Sequence, residues 1–377
     1  MTAPTQPVPQ DTVLPSQSIG GPRLASTAVV TDLPPGVPAP PAIRDESWLL
    51  ADLDTGQVIA AKAPHARLLP ASTLKTLTAL TLIPKLSPLR TVKASAADAQ
   101  VDGTRVGIVP GLTYTVRQLF QAMLMASGND AAHALGDAAG GQVSTLVAMN
   151  ANAAYLGAHD TVAKTTSGLD APGETSSAYD LALIGRAALQ LPAFRTYVTT
   201  KQADFPGQVD RKTKKRAAYK INNHNKLLYN YPGTIGVKNG YTIAAEHTFI
   251  SAVRRGGKTY LLTEMHGLDA SWHEQAAMYD WAFAHGSSAR PVGELVAPGS
   301  VTTAPSAPAT TAPSDPASAP TRASDNSAAA AIPTSALLPR SVAPWVGLAG
   351  LAAALLLVAL LAARSSRRPA RQRLRRR

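Results

Sequence analysis

The chain has 377 residues, 30 of them proline, no cysteine, and a formal net charge of +12. Without a thiol there is no disulfide, no cysteine nucleophile and no thiolate zinc site. Eight arginines lie in residues 364–377, so the rest of the chain carries only +4 and does not read as a nucleic-acid-binding surface.

Residues 1–44 are rich in Pro, Thr and Ser, lack periodicity, and read as disordered. They show neither a basic start nor an apolar run long enough for a signal peptide, which predicts that the natural start lies upstream. In "SWLLADLDTGQVIAAK" two apolar-rich runs flank Asp54-Thr55-Gly56, a β-hairpin pattern. That triplet also occurs in aspartic proteases, but a single copy in a tight hairpin reads as a turn. "STLKTLTALTLI" predicts a mostly buried helix closed by Pro84. "TVRQLFQAMLMA" predicts a second, started by Thr115 and Gln118 at capping-box spacing. "QVSTLVAMNANAAYL" and "SAYDLALIGRAALQ" are further helical stretches.

"RKTKKR", 211–216, reads as a solvated loop, with contact to anionic wall polymer or lipid headgroups as the alternative. "GTIGVKNGYT", "HTFISAVRR" and "KTYLLTEMHG" read as three strands, the last two joined at Gly256-Gly257, and "SWHEQAAMYDWAFA" as a closing helix. Strands at both ends with helices between them predict an α+β domain over 45–288, whose terminal strands pair in one antiparallel sheet flanked by helices. Residues 289–342 read as a Pro/Ala/Ser/Thr-rich linker. Residues 343–363, "APWVGLAGLAAALLLVALLAA", carry no charge and are long enough to span a bilayer, with Trp345 at one edge and arginines at the other. The basic tail, 364–377, is then cytoplasmic, and the linker and folded domain lie outside.

Three short motifs carry chemistry. Ser72 and Lys75 stand three residues apart, so hydroxyl and amine can meet on one helix face. A serine needs a base to become a nucleophile, and a lysine serves if burial and a nearby cation lower its pKa. A helix-capping serine beside a solvated lysine explains the same fragment. Ser127-Gly128-Asn129, between two helical stretches, can project a proton relay and an amide-binding side chain, or can be a plain turn. Lys238-Asn239-Gly240 can offer a fixed cation on a strand that pairs with an extended peptide, or can be an Asn-Gly hairpin turn.

The ordered set Ser-x-x-Lys, Ser-x-Asn, Lys-x-Gly is the penicillin-binding signature. Here the chain resembles the D-alanyl-D-alanine carboxypeptidases, the low-molecular-mass penicillin-binding proteins. The blocks "LLPASTLKTLTAL", "YTVRQLFQAMLMASGNDAAHALG", "SGLDAPGETSSAYDLALI" and "NHNKLLYNYPGTIGVKNGYT" carry the resemblance over about residues 46–285. It implies a β-lactamase/D,D-peptidase-like fold with a helical subdomain. It also implies Ser72 as acylated nucleophile, Lys75 as general base and Ser127 as proton relay. Asn129, Lys238, Asn239 and Gly240 would bind substrate, with Thr242 sharing the role of Asn239, and the backbone N–H groups of Ser72 and Tyr241 would form the oxyanion hole. The substrate implied is the stem pentapeptide of peptidoglycan, with β-lactams as inhibitors. The placement implied is a single pass through a bacterial cell membrane, with the catalytic domain outside.

Two departures stand out. Asn239 replaces the family's usual threonine, an amide donor in place of a hydroxyl, and no strand pattern follows residue 288. The histidines lack ligand spacing, so neither metal nor cofactor is expected. Asp170 and Glu174 border the site without being read as deacylating bases. The same motifs fit a β-lactamase or D,D-endopeptidase, and a silent wall-binding protein is the alternative outside enzymology.

Overall fold

Residues 13–268 and 271–301 are described in the computed structural model. Asp52 closes the first hairpin, its carboxylate accepting from the backbone N–H groups of Asp54 and Thr55 at 2.9 and 3.1 Å. Asp54-Thr55-Gly56 is therefore a turn. Before this hairpin comes a short strand, β1 (Val29–Thr31); the hairpin itself is β2 (Asp45–Asp52) and β3 (Gln57–Lys62). The helical subdomain follows, with α1 (Lys75–Leu82), β4 (Thr91–Lys93), α2 (Ala96–Gln100), β5 (Thr113–Thr115), α3 (Val116–Met125), α4 (Asn129–Ala138), α5 (Gln142–Leu156), α6 (Ala178–Ala188) and α7 (Pro192–Thr199). The Thr115–Gln118 capping box forms in both directions at the start of α3. A two-stranded hairpin, β6 (Gln202–Val209) and β7 (Arg216–Asn222), leads through α8 (Leu227–Asn230) to β8 (Thr234–Thr242), β9 (Glu246–Arg255), β10 (Lys258–Gly267), α9 (Trp272–His285) and β11 (Gly293–Glu294).

The main sheet has seven strands in the order β1-β3-β2-β10-β9-β8, with β11 also on β3, and every pairing is antiparallel. As expected, the N-terminal β2 pairs with the late strand β10. Alternate residues serve two cores. Leu49, Ala51, Ile250 and Leu261 face the helical subdomain, whereas Trp48, Leu50, Val253 and Leu262 pack against Tyr279 and Trp281 of α9. Because both faces are covered, these strands read as apolar runs, and each large side chain buried contributes roughly 1.5–3 kcal/mol.

On the α9 side, Asp45 and Glu264 are buried within hydrogen-bonding range of one another. Glu264 Oε1 accepts from Gln275 at 3.1 Å. A Cβ placed on Gly267 would lie 1.9 Å from Asp45 Oδ1, so glycine leaves the space this carboxyl occupies.

The expected domain limits, 45 and 288, are both too narrow. Leu24 is fully buried, β1 pairs with β3, and Trp281 Nε1 donates to Pro38 O at 2.8 Å, so residues 13–44 pack on the domain instead of being disordered. Beyond 288, β11 forms, Val292 and Leu295 are buried, and Gly299 N donates to Tyr155 O at 2.7 Å. These straps lack periodicity because they borrow their order from the edge of β3. Residues 1–12, the remainder of the expected linker, the expected transmembrane helix at 343–363 and the basic tail lie outside the described residues. Among the described residues, no helix is long and apolar enough to cross a membrane.

Candidate active site

The helix expected from Ser72 begins at Lys75. Ala71–Leu74 form a 3₁₀ turn leading into it, and the Ser72 side chain caps nothing. A 3₁₀ turn eclipses side chains at i and i+3, which sets Ser72 directly against Lys75. The turn is fastened at Pro70 O, which accepts from Thr73 Oγ1 at 2.5 Å and from Thr248 Oγ1 of β9 at 2.9 Å.

Lys75 is fully buried. Its Nζ lies 2.8 Å from Ser72 Oγ, 2.7 Å from Asn129 Oδ1 and 2.8 Å from Ser167 O. The last two atoms are carbonyl oxygens and only accept. They take both N–H bonds of a neutral amine and leave its lone pair toward the Ser72 hydroxyl, which can donate. Burial, and then the charge of Lys238, push the Lys75 pKa well below its ordinary value, against smaller opposing effects of Glu174 and Asp130.

Ser127 occupies the turn between α3 and α4 at φ 60°, left-handed backbone that costs a non-glycine residue roughly 1–2 kcal/mol. It is buried, and no hydrogen bond ties its hydroxyl to another described residue. Asn129 opens α4 and is occupied at both ends of its amide. Oδ1 accepts from Lys75, and Nδ2 donates to Asp102 O at 2.7 Å. Asp130 beside it is fully buried and accepts from the backbone N–H groups of Val106, Gly107 and Ile108 at 3.1, 2.7 and 3.0 Å. It locks the 102–108 loop against the site. The sequence reading missed Asp130. Its signal was an acid directly after Ser-x-Asn, facing a loop with no periodicity.

Lys238-Asn239-Gly240 is not a hairpin turn but the middle of β8, an edge strand. A Cβ on Gly240 would stand 2.7 Å from Ser72 N and 2.4 Å from Thr248 Oγ1. Only glycine lets β8 approach the 3₁₀ turn so closely at this position. Lys238 is 1% exposed, and burial pulls its pKa down to about 7. It lies close enough to depress both Lys75 and His224. Asn239 lines a small cavity of about 140 Å³ with His224, Tyr241, His247 and Trp272. Thr242 departs from the expected role. Its hydroxyl donates to Asp170 Oδ1 at 2.8 Å and accepts from Ala245 N, which leaves it no proton for a substrate carboxylate.

The 165–174 loop supplies Ser167 O, a backbone contribution invisible to motif reading. Glu174 shapes this loop from within, accepting from Lys164 N, Thr165 N and Thr165 Oγ1 at 3.0, 2.8 and 3.0 Å. Burial raises its pKa to about 7. Elsewhere the fold brings Asp98, His133 and Asp137 together despite their spacing in the chain. His133 Nδ1 donates to Asp98 at 2.7 Å, and that bond, ahead of burial, raises the His133 pKa.

A serine hydroxyl against a buried lysine whose pKa is lowered, with a second buried lysine nearby, is an arrangement suited to acyl transfer. Comparison with known proteins agrees. The family model described as D-alanyl-D-alanine carboxypeptidase, peptidase family S11, matches residues 35–280. The chain is 43% identical over 246 residues to D-alanyl-D-alanine carboxypeptidase DacB2 of Mycobacterium tuberculosis, covering 63% of this chain and 82% of that protein. It is 31% identical over 217 residues to DacF of Bacillus subtilis, covering 56% of this chain and 54% of that relative. Among solved structures, a D-alanyl-D-alanine carboxypeptidase from Mycobacterium tuberculosis superposes with a TM-score of 0.65 at 41% identity, covering 70% of this chain and 99% of that one. The Streptomyces K15 DD-transpeptidase gives a TM-score of 0.61 at 29% identity, covering 66% and 100%.

Proposed function

The chain belongs to the D-alanyl-D-alanine carboxypeptidase family, and from that premise we propose that Ser72 cleaves the terminal D-alanine from peptidoglycan stem pentapeptides. Ser72 Oγ attacks the carbonyl of the penultimate D-alanine while neutral Lys75 takes the hydroxyl proton. The oxyanion is held by the N–H groups of Ser72 and Tyr241, donors of a kind worth roughly 3–4 kcal/mol. Ser127 relays the proton from Lys75 to the departing amine, which leaves Lys75 neutral again; the C–N bond breaks, and an ester remains on Ser72. Water activated by Lys75 then hydrolyses the ester and releases the tetrapeptide. The Lys238 ammonium pairs with the terminal carboxylate, and that anion keeps Lys238 protonated while substrate is bound. Asn239 donates its amide to the same group, and Asn129 holds Lys75 in line. A β-lactam presents a similar carbonyl and carboxylate and stalls as the ester.

The observation carrying this reading is the placement of the buried Lys75 Nζ within 2.8 Å of Ser72 Oγ, with Asn129 Oδ1 and Ser167 O as its other two neighbours. Mass spectrometry of a synthetic pentapeptide ending in D-Ala-D-Ala tests it. Loss of one alanine is expected; an intact peptide after incubation with penicillin-labelable protein overturns it. The similarity to a DD-transpeptidase raises a second fate, capture of the ester by an amine, which added glycine in the same assay reveals as a mass gain.

The uncharged run 343–363, edged by Trp345 and arginines, supports a single-pass anchor in a bacterial cell membrane, with the catalytic domain outside and the tail cytoplasmic. Protease added to intact cells should degrade the domain and spare the tail; a domain protected until lysis refutes this topology.

A further inference from the structure

The β6–β7 hairpin carries four exposed cations at its tip, Arg211, Lys212, Lys214 and Lys215, and none forms an ion pair with a described residue. The one acid in the turn, Asp210, is committed to backbone, accepting from Lys212 N and Thr213 N at 2.9 and 2.6 Å. The hairpin below is held rigidly. Arg216 donates to Gly207 O at 2.9 Å and to Thr113 O at 2.6 Å, and its guanidinium lies 4.4 Å from the centre of the Tyr114 ring. Tyr219 reaches across to donate to Val106 O.

Between the hairpin and the Val106–Gly107 loop runs an open groove of about 990 Å³, with Val209 and Tyr219 on one side and Arg211 and Lys212 at its end. The far wall is the loop that Asp130 locks, next in sequence to Asn129 and so one residue from a Lys75 contact. The groove therefore shares a wall with the catalytic machinery.

We propose that this groove and its cationic tip bind the carboxylate-bearing peptidoglycan strand to which the scissile stem is attached. The inference rests on the carboxypeptidase reading, because it assigns a place to the rest of that substrate. A stem peptide is one of many on a polymer rich in carboxylates, and fixed cations beside a cleft raise the local concentration of such a chain. The groove runs between two walls, the hairpin and the Val106–Gly107 loop, which suits one extended strand better than a flat bilayer.

The test compares the wild-type full chain with a variant carrying Arg211→Gln, Lys212→Gln, Lys214→Asn and Lys215→Gln. The turn's hydrogen bonds run through backbone, Asp210 and Thr213, so the substitutions leave them intact, and Asn tolerates the positive φ of Lys214. On a soluble pentapeptide, kcat/KM should stay within about twofold. On purified sacculi bearing pentapeptide stems, KM should rise about tenfold, and co-sedimentation with sacculi should fall likewise. The wild-type advantage should shrink at about 0.5 M salt. Unchanged KM and unchanged sedimentation overturn the proposal, as does an equal loss on soluble and polymeric substrate. Loss of binding to phosphatidylglycerol vesicles with sacculus binding intact overturns it in favour of a lipid surface. A wild-type chain that leaves the soluble pentapeptide whole refutes the carboxypeptidase reading, while the sedimentation arm still decides the groove.

Discussion

The two faces of the main sheet each bury a pair of like groups, and they resolve the conflict in opposite ways. Toward the helical subdomain lie Lys75 and Lys238, whose pKa values burial lowers, with Lys238 also depressing Lys75. Toward α9 lie Asp45, pushed up to about 7, and Glu264, pushed well above its ordinary value, both by burial. The carboxyl pair is sealed under Gln275 and keeps a proton. Among the described residues neither lysine forms an ion pair, and in the proposed reaction the substrate carboxylate supplies that counter-charge. Buried ionisable groups cost stability in both places. In the proposed mechanism, that cost on the helical face is what keeps Lys75 available as a base and Lys238 ready for a carboxylate.

Four measurements can break or sharpen this contrast. Ser72→Ala should abolish labelling by fluorescent penicillin and lower turnover by about four orders of magnitude or more, with the thermal midpoint nearly unchanged; persistent labelling would place the nucleophile elsewhere. Next comes the pH profile. Lys238 must be charged to hold the carboxylate, so kcat/KM should fall about tenfold per unit above its pKa of about 7. A bound carboxylate raises that pKa, so the alkaline limb of kcat should lie at higher pH. Coincident limbs would remove Lys238 from the binding step.

A smaller effect is expected in stability. The raised pKa of Asp45 means stability is lost as pH rises from the ordinary carboxylate range to about 7, whereas the lowered pKa of Lys238 means stability is lost as pH falls from the ordinary lysine range to about 7. Asp45→Asn should therefore stabilise the protein at pH 8 by about 1–2 kcal/mol and flatten the loss toward alkaline pH, with activity unchanged. Denaturant titration at pH 5 and pH 8 reads both. The smallest effect is expected for Asn239→Thr. Both side chains donate a hydrogen bond, so KM for the pentapeptide should move by only about threefold. A hundredfold change would mean that Asn239 redefines the substrate.

Local pattern sufficed where side chains answer to one neighbour. The run Gln142–Leu156 forms the helix its sequence predicts, and Thr115 and Gln118 cap α3. The three late strands also form, with Gly256 and Gly257 between the last two. The motif residues were legible as types at a spacing, yet the contacts of Asn129 and Thr242 and the whole contribution of Ser167 were not. Asn129 is tied to Lys75, Thr242 to Asp170, and Ser167 contributes only a carbonyl. Such contacts join residues tens of positions apart and leave no periodic trace. The 3₁₀ turn at Ala71–Leu74 hid behind a helical pattern because the two share their i, i+3 neighbours. The straps at 13–44 and 289–301 escaped notice for a related reason, since each is ordered by β3 and not by its own residues.

Those straps divide one edge between them. β1 covers Ala60–Lys62, and β11 covers Gln57 and Val58. Among the described strands, the main sheet ends in the short β1 and β11 on one side and in β8, where Lys238 stands, on the other. β1 and β11 span three and two residues and β8 nine, so the longest terminal strand of that sheet is the one that carries Lys238. Trimming the strap before residue 35 would bare a second rim of unsatisfied N–H and C=O groups. Two molecules could then zip together there, and self-association would compete with the protein's solubility while the cleft itself stayed untouched.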